Sequence, residues 1–514
     1  MLHNQRFACS RACILLAVLT VQCSMVGASP APPTCIPPVK RYTPMPGTFT
    51  LGDSTSIVVE PGQLKACGST ARLLAHSLFV CCGIHPAITT SAPRTGYIEL
   101  RLKPGGHSTI TEGYWLEVRR TVTITSTTTH GLFNGTRTLI QYLHHGRSIP
   151  EGITKDWPDY PFRGLMIDVA RKYFTLRWLK DEIRTMANVK MDELHLHLTD
   201  DEGFRIQSTS HPKLNSFTSP IYTHNEIAGL VKYGRRYHVE IIPEIDFPAH
   251  CGAILKVHPE LRLASPTGTT FENDMDITKP GAVSLVKDLL REYLPLFPGK
   301  YWHCGGDEYL HRSEYASFPQ LGNWAISHLP KGARPTDTFI SFINAEDAIV
   351  RRAGKTMRAW ADTYEFQGSI GDPVVLNNDI CQELWNGYDN PRQITGFGFR
   401  VSNASYPMLY YNVGNGAKLS KQQAETIIAQ WNPREFYLHE GSWQKMATSA
   451  RLQGACYHVW ADDANGETER TVTQNIQMPL CAMALKCWDS DMQPPSLAKF
   501  EAQVRALGPV GSAA

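Results

Sequence analysis

Two adjacent carboxylates, Asp307 and Glu308, follow two glycines at the end of the short run Tyr301-Trp302-His303-Cys304. The pattern predicts a β-strand that stops abruptly and presents acids at its C-terminal end. In parallel α/β architectures that end carries the chemistry. Neighbouring Asp and Glu can do acid/base work, because one environment can hold one ionised and the other protonated. Taken alone, the pair also fits a solvated turn or a helix cap. Other strand ends tip the balance towards chemistry. One candidate strand runs into Thr199-Asp200-Asp201, another into Glu244-Ile245-Asp246 and then His250, and Trp360, Trp385 and Trp460 stand near the ends of three more. Acids and aromatics at one mouth suit a carbohydrate: rings stack on sugar C–H faces, and carboxylates hold hydroxyls or protonate a glycosidic oxygen. Each Trp alone also fits core packing, and Arg163 also fits a structural ion pair.

His195 and His197, two apart on a strand, face the same way. With Asp200, Asp201 and His250 they raise a metal-dependent barrel hydrolase as a rival. Leu194, Leu196 and Leu198 would occupy the opposite face, and the sequence leaves open which set points inward. There is no GxSxG elbow, no phosphate-cradling loop and no CxxC pair.

The elements that must position these groups begin after a boundary at Pro158-Asp159-Tyr160-Pro161. Strands are expected at 164–169, 194–198, 239–243, 301–304, 356–361, 381–385, 408–411 and 453–460. Helices are expected at 175–188, 225–238 and 282–296, with Thr175 as an N-cap. Eight strands with interleaved helices fit a closed (β/α)₈ barrel over 158–495, followed by a C-terminal tail, 496–514. Before it, 41–157 alternates short β-rich runs with two helices near 63–78 and 132–143, which predicts a small α+β domain. The fold class is therefore α/β, with a small α+β domain ahead of a TIM-type barrel.

The 514 residues carry 50 basic and 48 acidic side chains, a net charge of +2, which argues against broad electrostatic binding of nucleic acid. At the N-terminus, Arg6 and Arg11 precede an apolar run at 13–19, and Val26-Gly27-Ala28 offers a cleavage site. This reads as a signal peptide, 1–28, then a Pro-rich linker, 29–40, with secretion expected. The run is too short for a comfortable membrane span. Ten of thirteen cysteines follow the signal. Cys67 with Cys81 or Cys82, and Cys481 with Cys487, are local pairing guesses. Asn134-Gly135-Thr136 and Asn403-Ala404-Ser405 are glycosylation sequons.

Four stretches together resemble glycoside hydrolase family 20, the β-N-acetylhexosaminidases. They are Arg163-Gly164-Leu165-Met166-Ile167-Asp168-Val169-Ala170-Arg171, the run from Leu194 through Thr199-Asp200-Asp201 to Ile206, Ile242-Pro243-Glu244-Ile245-Asp246-Phe247-Pro248-Ala249-His250, and His303-Cys304-Gly305-Gly306-Asp307-Glu308. The resemblance implies substrate-assisted hydrolysis without a cofactor or metal, the 2-acetamido carbonyl acting as nucleophile. It implies Glu308 as general acid and then base, Asp307 as holder of the acetamido nitrogen, and Arg163 as a hydroxyl ligand. Asp201 and His250 would tune Glu308. Trp360, Trp385 and Trp460 would box the acetamido group, with Trp431 a weaker candidate, and Tyr410 would bond its oxygen. The acid should carry a raised pKa to stay protonated. Two positions depart from the family pattern. Asn412 stands where an Asp is usual, and Asp462 where a Glu is usual. Both would contact hydroxyls of the sugar in the −1 site, and the shorter Asp462 resembles the lacto-N-biosidase branch, which releases Gal-β1,3-GlcNAc. A non-catalytic sugar-binding protein is the alternative of another class. The substrate partner expected is a glycan with terminal N-acetylhexosamine, GlcNAc or GalNAc, with no nucleic acid or membrane partner; oligomeric state is open.

Overall fold

The computed structural model describes residues 33–103, 111–144, 146–268, 270–365 and 372–507, with the side chains of Glu365 and Glu440 left out. The signal peptide, 1–28, and the first four linker residues, 29–32, lie outside these residues.

Eight strand positions close into a parallel barrel. Phe162–Asp168 pairs with Glu193–His197, which pairs with Glu240–Glu244, then Tyr301–His303, Thr356–Trp360, Cys381–Leu384 and Arg400–Asn403. Leu452–Trp460 completes the ring by pairing with Arg400–Asn403 on one side and Phe162–Asp168 on the other. The seventh position is split. Its lower piece is Arg400–Asn403; a short helix, Tyr406–Leu409, interrupts it, and Tyr410–Asn412 resumes beside His458–Trp460. The expected strand at 408–411 is thus only the upper half of this position.

Sequence chemistry explains the layering. In the second strand Leu194 and Leu196 join the hydrophobic core, while His195 and His197 turn to the barrel interior against Glu244. That answers which set points inward. Helix Leu176–Asn188 starts where the Thr175 hydroxyl accepts the Trp178 N–H, and Thr223 with Glu226 forms a capping box for His224–Arg236.

The N-terminal domain is a seven-stranded mixed sheet with two helices, Leu64–Cys82 and Thr129–Tyr142. Its two outer strands on one side, Arg41–Thr50 and Ser148–Asp156, were not among the sequence expectations because their patterns are broken by Pro and Gly. It is pinned to the barrel through Asp156, whose carboxylate accepts from Lys190 Nζ at 2.8 Å and from Trp488 Nε1 at 2.8 Å. The C-terminal tail carries a helix, Leu497–Leu507, with Phe500 and Val504 buried.

Two expectations fail here on geometry. Cys67 and Cys81 lie on one straight helix, fourteen residues or about 21 Å apart at 1.5 Å per residue. Cys481 and Cys487 share another helix, six residues or about 9 Å apart. Both separations exceed the roughly 7 Å Cα limit for a disulfide. The ten described cysteines are all unpaired. Asn134 and Asn403 are both buried, and Asn403 Nδ2 donates to the carbonyls of Pro433 and Glu435. Neither sequon offers its side chain to a glycan in the folded chain.

Candidate active site

Register does the first part of the positioning. Asp168, His197, Glu244 and His303 are mutual partners across four adjacent strands, and each is the last residue of its strand. They form one polar layer at the C-terminal end of the barrel. Glu244 is its hub: it accepts from His197 Nδ1 at 2.6 Å and from the Trp360 indole at 2.8 Å. Above this layer sits a cavity of about 280 Å³ lined by Arg171, His197, Asp200, His250, Asp307, Glu308, Trp385, Tyr410, Asn412, Trp460 and Asp462.

The turn that delivers the two acids needs its glycines. Gly305 and Gly306 have φ of +71° and +90°; a Cβ on Gly305 would lie 1.6 Å from Asp246 Oδ1, and one on Gly306 would meet Thr363 at 2.5 Å. The Gly306 N–H donates to Asp246 Oδ1 at 3.0 Å, which fixes the turn. Glu308 itself has φ +51° and His250 φ +50°, strained values for residues with a Cβ. The acids therefore emerge in different settings. The Asp307 side chain is 13% exposed and its Oδ1 has no hydrogen-bond partner among the described residues; Glu308 is 56% exposed.

His250 stands between them, with Nε2 3.6 Å from Asp307 and 3.4 Å from Glu308, while Nδ1 is 3.4 Å from Asp200 Oδ1. Burial works against an imidazolium, but Asp307, Asp200 and Glu308 outweigh it and hold His250 well above its usual pKa. That cation acts on the acids in turn. Its hydrogen bond leads the effects that push Glu308 below the ordinary Glu value, whereas burial pushes Asp307 up. The raised Glu308 pKa expected from the sequence is thus reversed in the ligand-free site, because a cation rather than another carboxylate is its nearest charged neighbour.

Four sequence assignments change place. Arg163 is absent from the cavity. It lies near the N-terminal end of its strand, five residues below Asp168 or about 16 Å at 3.3 Å per residue. There it is fully buried, ion-paired to Glu112 and, at 2.7 Å, to Asp192. The arginine that reaches the cavity is Arg171, eight residues on, past the strand end. It meets Asp168 at 3.0 Å, Asp200 at 2.7 Å and Glu202 at 3.3 Å, and its guanidinium lies 5.7 Å from the Trp460 ring. Asp201 also turns away, because the chain bends past the strand end, closed by the Asp200 N–H on the Gly203 carbonyl. It accepts from the Gly252 N–H at 3.0 Å and Asn273 at 2.7 Å, and is 3.9 Å from His250. Asp200 instead bridges His250 and His197 Nε2, the latter at 2.7 Å. Trp360 is buried beneath the floor, 6.0 Å from the Trp460 ring rather than on the cavity wall. Trp431 lies in a separate cleft.

The remaining assignments converge. Trp385 and Tyr410 stack with 6.3 Å between ring centroids and 9° between planes, and Trp460 stands 5.8 Å from Tyr410. The Trp385 indole donates to Asp362 at 2.7 Å; burial, then Asp307, raises that buried acid to about 7. Asn412 Nδ2 donates to Asp462 Oδ2 at 2.7 Å on the cavity's far side. Several triads, such as His195, Glu244 and His303, bring ligand-type atoms within 4.8 Å of one another. His197, however, has both ring nitrogens engaged by Glu244 and Asp200. A larger cavity, about 790 Å³, opens at the opposite end near Glu112 and Asp192; it holds the partners of Arg163, not these acids.

Comparison with known proteins places this arrangement. The sequence pattern of the glycosyl hydrolase family 20 catalytic domain matches residues 160–491, and that of the family's domain 2 matches residues 32–157. The chain belongs to glycoside hydrolase family 20. A lacto-N-biosidase of Bifidobacterium bifidum is 28% identical to this family 20 chain over 468 residues, covering 90% of it but 40% of the relative. A β-hexosaminidase subunit A1 of Dictyostelium discoideum is 28% identical over 372 residues, 69% of this chain and 66% of its own length. Among solved structures, a family 20 exo-β-N-acetylglucosaminidase from Vibrio harveyi superposes with a TM-score of 0.75 at 20% identity, over 94% of this chain and 78% of that one. The N-acetyl-β-hexosaminidase of Streptomyces plicatus gives 0.73 at 23%, over 94% and 97%. These likenesses establish the barrel and its preceding domain as the family 20 fold.

Proposed function

We propose that this family 20 chain is a secreted, retaining β-N-acetylhexosaminidase that removes terminal GlcNAc or GalNAc by substrate-assisted catalysis. The observation that carries the reading is the division of labour at Asp307 and Glu308. Glu308 is exposed to the cavity and can reach a glycosidic oxygen. Asp307 is buried beside it with an acceptor oxygen unpartnered among the described residues. An acetamido N–H donated to that oxygen would orient the carbonyl of the same group towards the anomeric carbon. Trp385, Tyr410 and Trp460 enclose the acetamide; burial holds the Tyr410 phenol well above its usual pKa, so it stays a hydrogen-bond donor to the acetamido oxygen. Glu308 protonates the leaving oxygen as the carbonyl attacks, then deprotonates the water that opens the oxazolinium ring. Arg171 and Asp462 hold sugar hydroxyls on the opposite side.

In the free protein burial raises the Asp307 pKa, while the His250 cation lowers that of Glu308. The reaction needs the reverse. An acetamido N–H bonded to Asp307 stabilises its ionised form, and a sugar over Glu308 desolvates it, so binding lowers the first pKa and raises the second. The test is hydrolysis of p-nitrophenyl β-N-acetylglucosaminide with and without a chelator, the product anomer followed by NMR. Chelator-insensitive release of the β-anomer is expected. Loss of activity to the chelator would select the metal-dependent alternative.

The Asn412–Asp462 bond favours a second reading. It holds Asp462, 56% exposed and 3.9 Å from Arg171, at the cavity rim, where a carboxylate one methylene shorter than Glu widens the site. The Bifidobacterium bifidum relative is named a lacto-N-biosidase. Under this reading the p-nitrophenyl glycoside of Gal-β1,3-GlcNAc is the better substrate; efficient cleavage of the GlcNAc glycoside alone rejects it.

A further inference from the structure

Trp431 has no place in the pocket, yet it is not simple core. It lines a cleft of about 330 Å³ on the outer side of the Tyr406–Asn412 segment, together with Trp443, Met408, Gln430, Glu435 and Lys445. Trp431 is 2% exposed, and its indole Nε1 is buried with no hydrogen-bond partner among the described residues. Trp443, opposite, is 39% exposed on an antiparallel hairpin, Glu435–Leu438 with Ser442–Lys445. Aromatic rings run from this cleft back towards the pocket. Trp443 meets Tyr437 at 5.5 Å, Tyr437 meets Tyr406 at 5.1 Å, and the Tyr406 N–H donates to the carbonyl of Trp385, a wall of the catalytic cavity, at 3.1 Å.

We propose that this cleft is a second sugar-binding site, which holds residues of the glycan beyond the one in the catalytic pocket. Three features select a neutral sugar chain as occupant. The partly exposed Trp443 indole and Met408 offer flat and soft apolar surface for C–H faces. An unpaired indole N–H and Gln430 offer directional hydrogen bonds to hydroxyls. Glu435 and Lys445 neutralise one another at 3.3 Å, so the cleft presents no net charge to attract an ionic ligand. Continuity with the pocket through Tyr406 and Trp385 supplies the reason for a chain rather than an unrelated molecule.

The proposal rests on the glycosidase reading, and two assays keep their failures apart. Trp443→Ala should leave kcat/KM on p-nitrophenyl N-acetylglucosaminide within about twofold, since that substrate has no further sugar. On chitohexaose kcat/KM should fall about tenfold, through KM, the scale of one lost stacking contact. Trp443→Tyr should retain most of the affinity. In a Glu308→Gln background, calorimetry should show chitohexaose binding weakened by about tenfold in Trp443→Ala and N-acetylglucosamine binding unchanged. Equal effects on the short and long ligands, or none on the long one, overturn the proposal. If the unmodified protein hydrolyses neither substrate, the glycosidase reading fails, and the calorimetric comparison still decides the cleft.

Discussion

At the residue scale, the proposed reaction rests on Glu308 and the charged groups around it. With Glu308 as the proposed proton donor, Glu308→Gln should lower kcat on a glycan leaving group by about 10²–10⁴-fold, while a p-nitrophenyl leaving group, needing little protonation, suffers much less. Comparable losses on both would remove Glu308 from the role. His250 is the cation that holds Glu308 low. Taking it away in His250→Phe raises the Glu308 pKa. The acid then stays protonated to higher pH, so the basic limb of the kcat/KM profile moves upward even as the maximal rate falls. A limb that stays put, or moves down, contradicts the assignment. Asp200 enters this relay because its carboxylate anchors both His250 and His197. The resemblance implied Asp201 for this place, not its neighbour Asp200. Only the direction of the chain past the strand end separates them, and side-chain spacing alone does not report that direction.

At the element scale, the barrel strands decide which arginine matters. Seven of the eight strand positions were legible, most of them as short apolar, aromatic or alternating runs. The split seventh was half hidden: Arg400–Asn403 is four residues long and carries two polar side chains and a charge. Arg163 stands second in its strand, at the end of the barrel away from the cavity. Strand one begins at Phe162 and ends at Asp168, so the rule that chemistry sits at C-terminal ends already pointed to Asp168 and Arg171. The two arginines make opposite predictions. Arg163→Met leaves Glu112 and Asp192 buried without their cation and should cost about 3–5 kcal/mol of stability. The folded fraction should keep its KM. Arg171→Met should barely move the melting temperature relative to that but raise KM for the glycoside. Denaturant titration beside steady-state kinetics reads both, and a KM effect at Arg163 with none at Arg171 would reverse the correction.

At the scale of the whole molecule, the small domain and the barrel form a platform for one reaction. Asp156, Lys190 and Trp488 lock the domains together far from the acids. The C-terminal strand ends then concentrate four buried polar groups beneath a pocket closed by aromatic rings. Fold class and the Asp307-Glu308 pair were readable because they rest on local patterns. The Asn412–Asp462 bond and the cleft at Trp431 were not, because they join segments fifty residues apart or a hairpin whose pattern gave no signal. The claim that unites the molecule is that the nucleophile belongs to the substrate. It is tested most directly with p-nitrophenyl glycosides whose N-acetyl group carries zero, one, two or three fluorine atoms. Fluorine withdraws electrons from the carbonyl oxygen without altering the leaving group. If that oxygen attacks the anomeric carbon, log kcat/KM should fall steadily with each fluorine added. A flat series would mean that a protein carboxylate, not the acetamide, forms the bond.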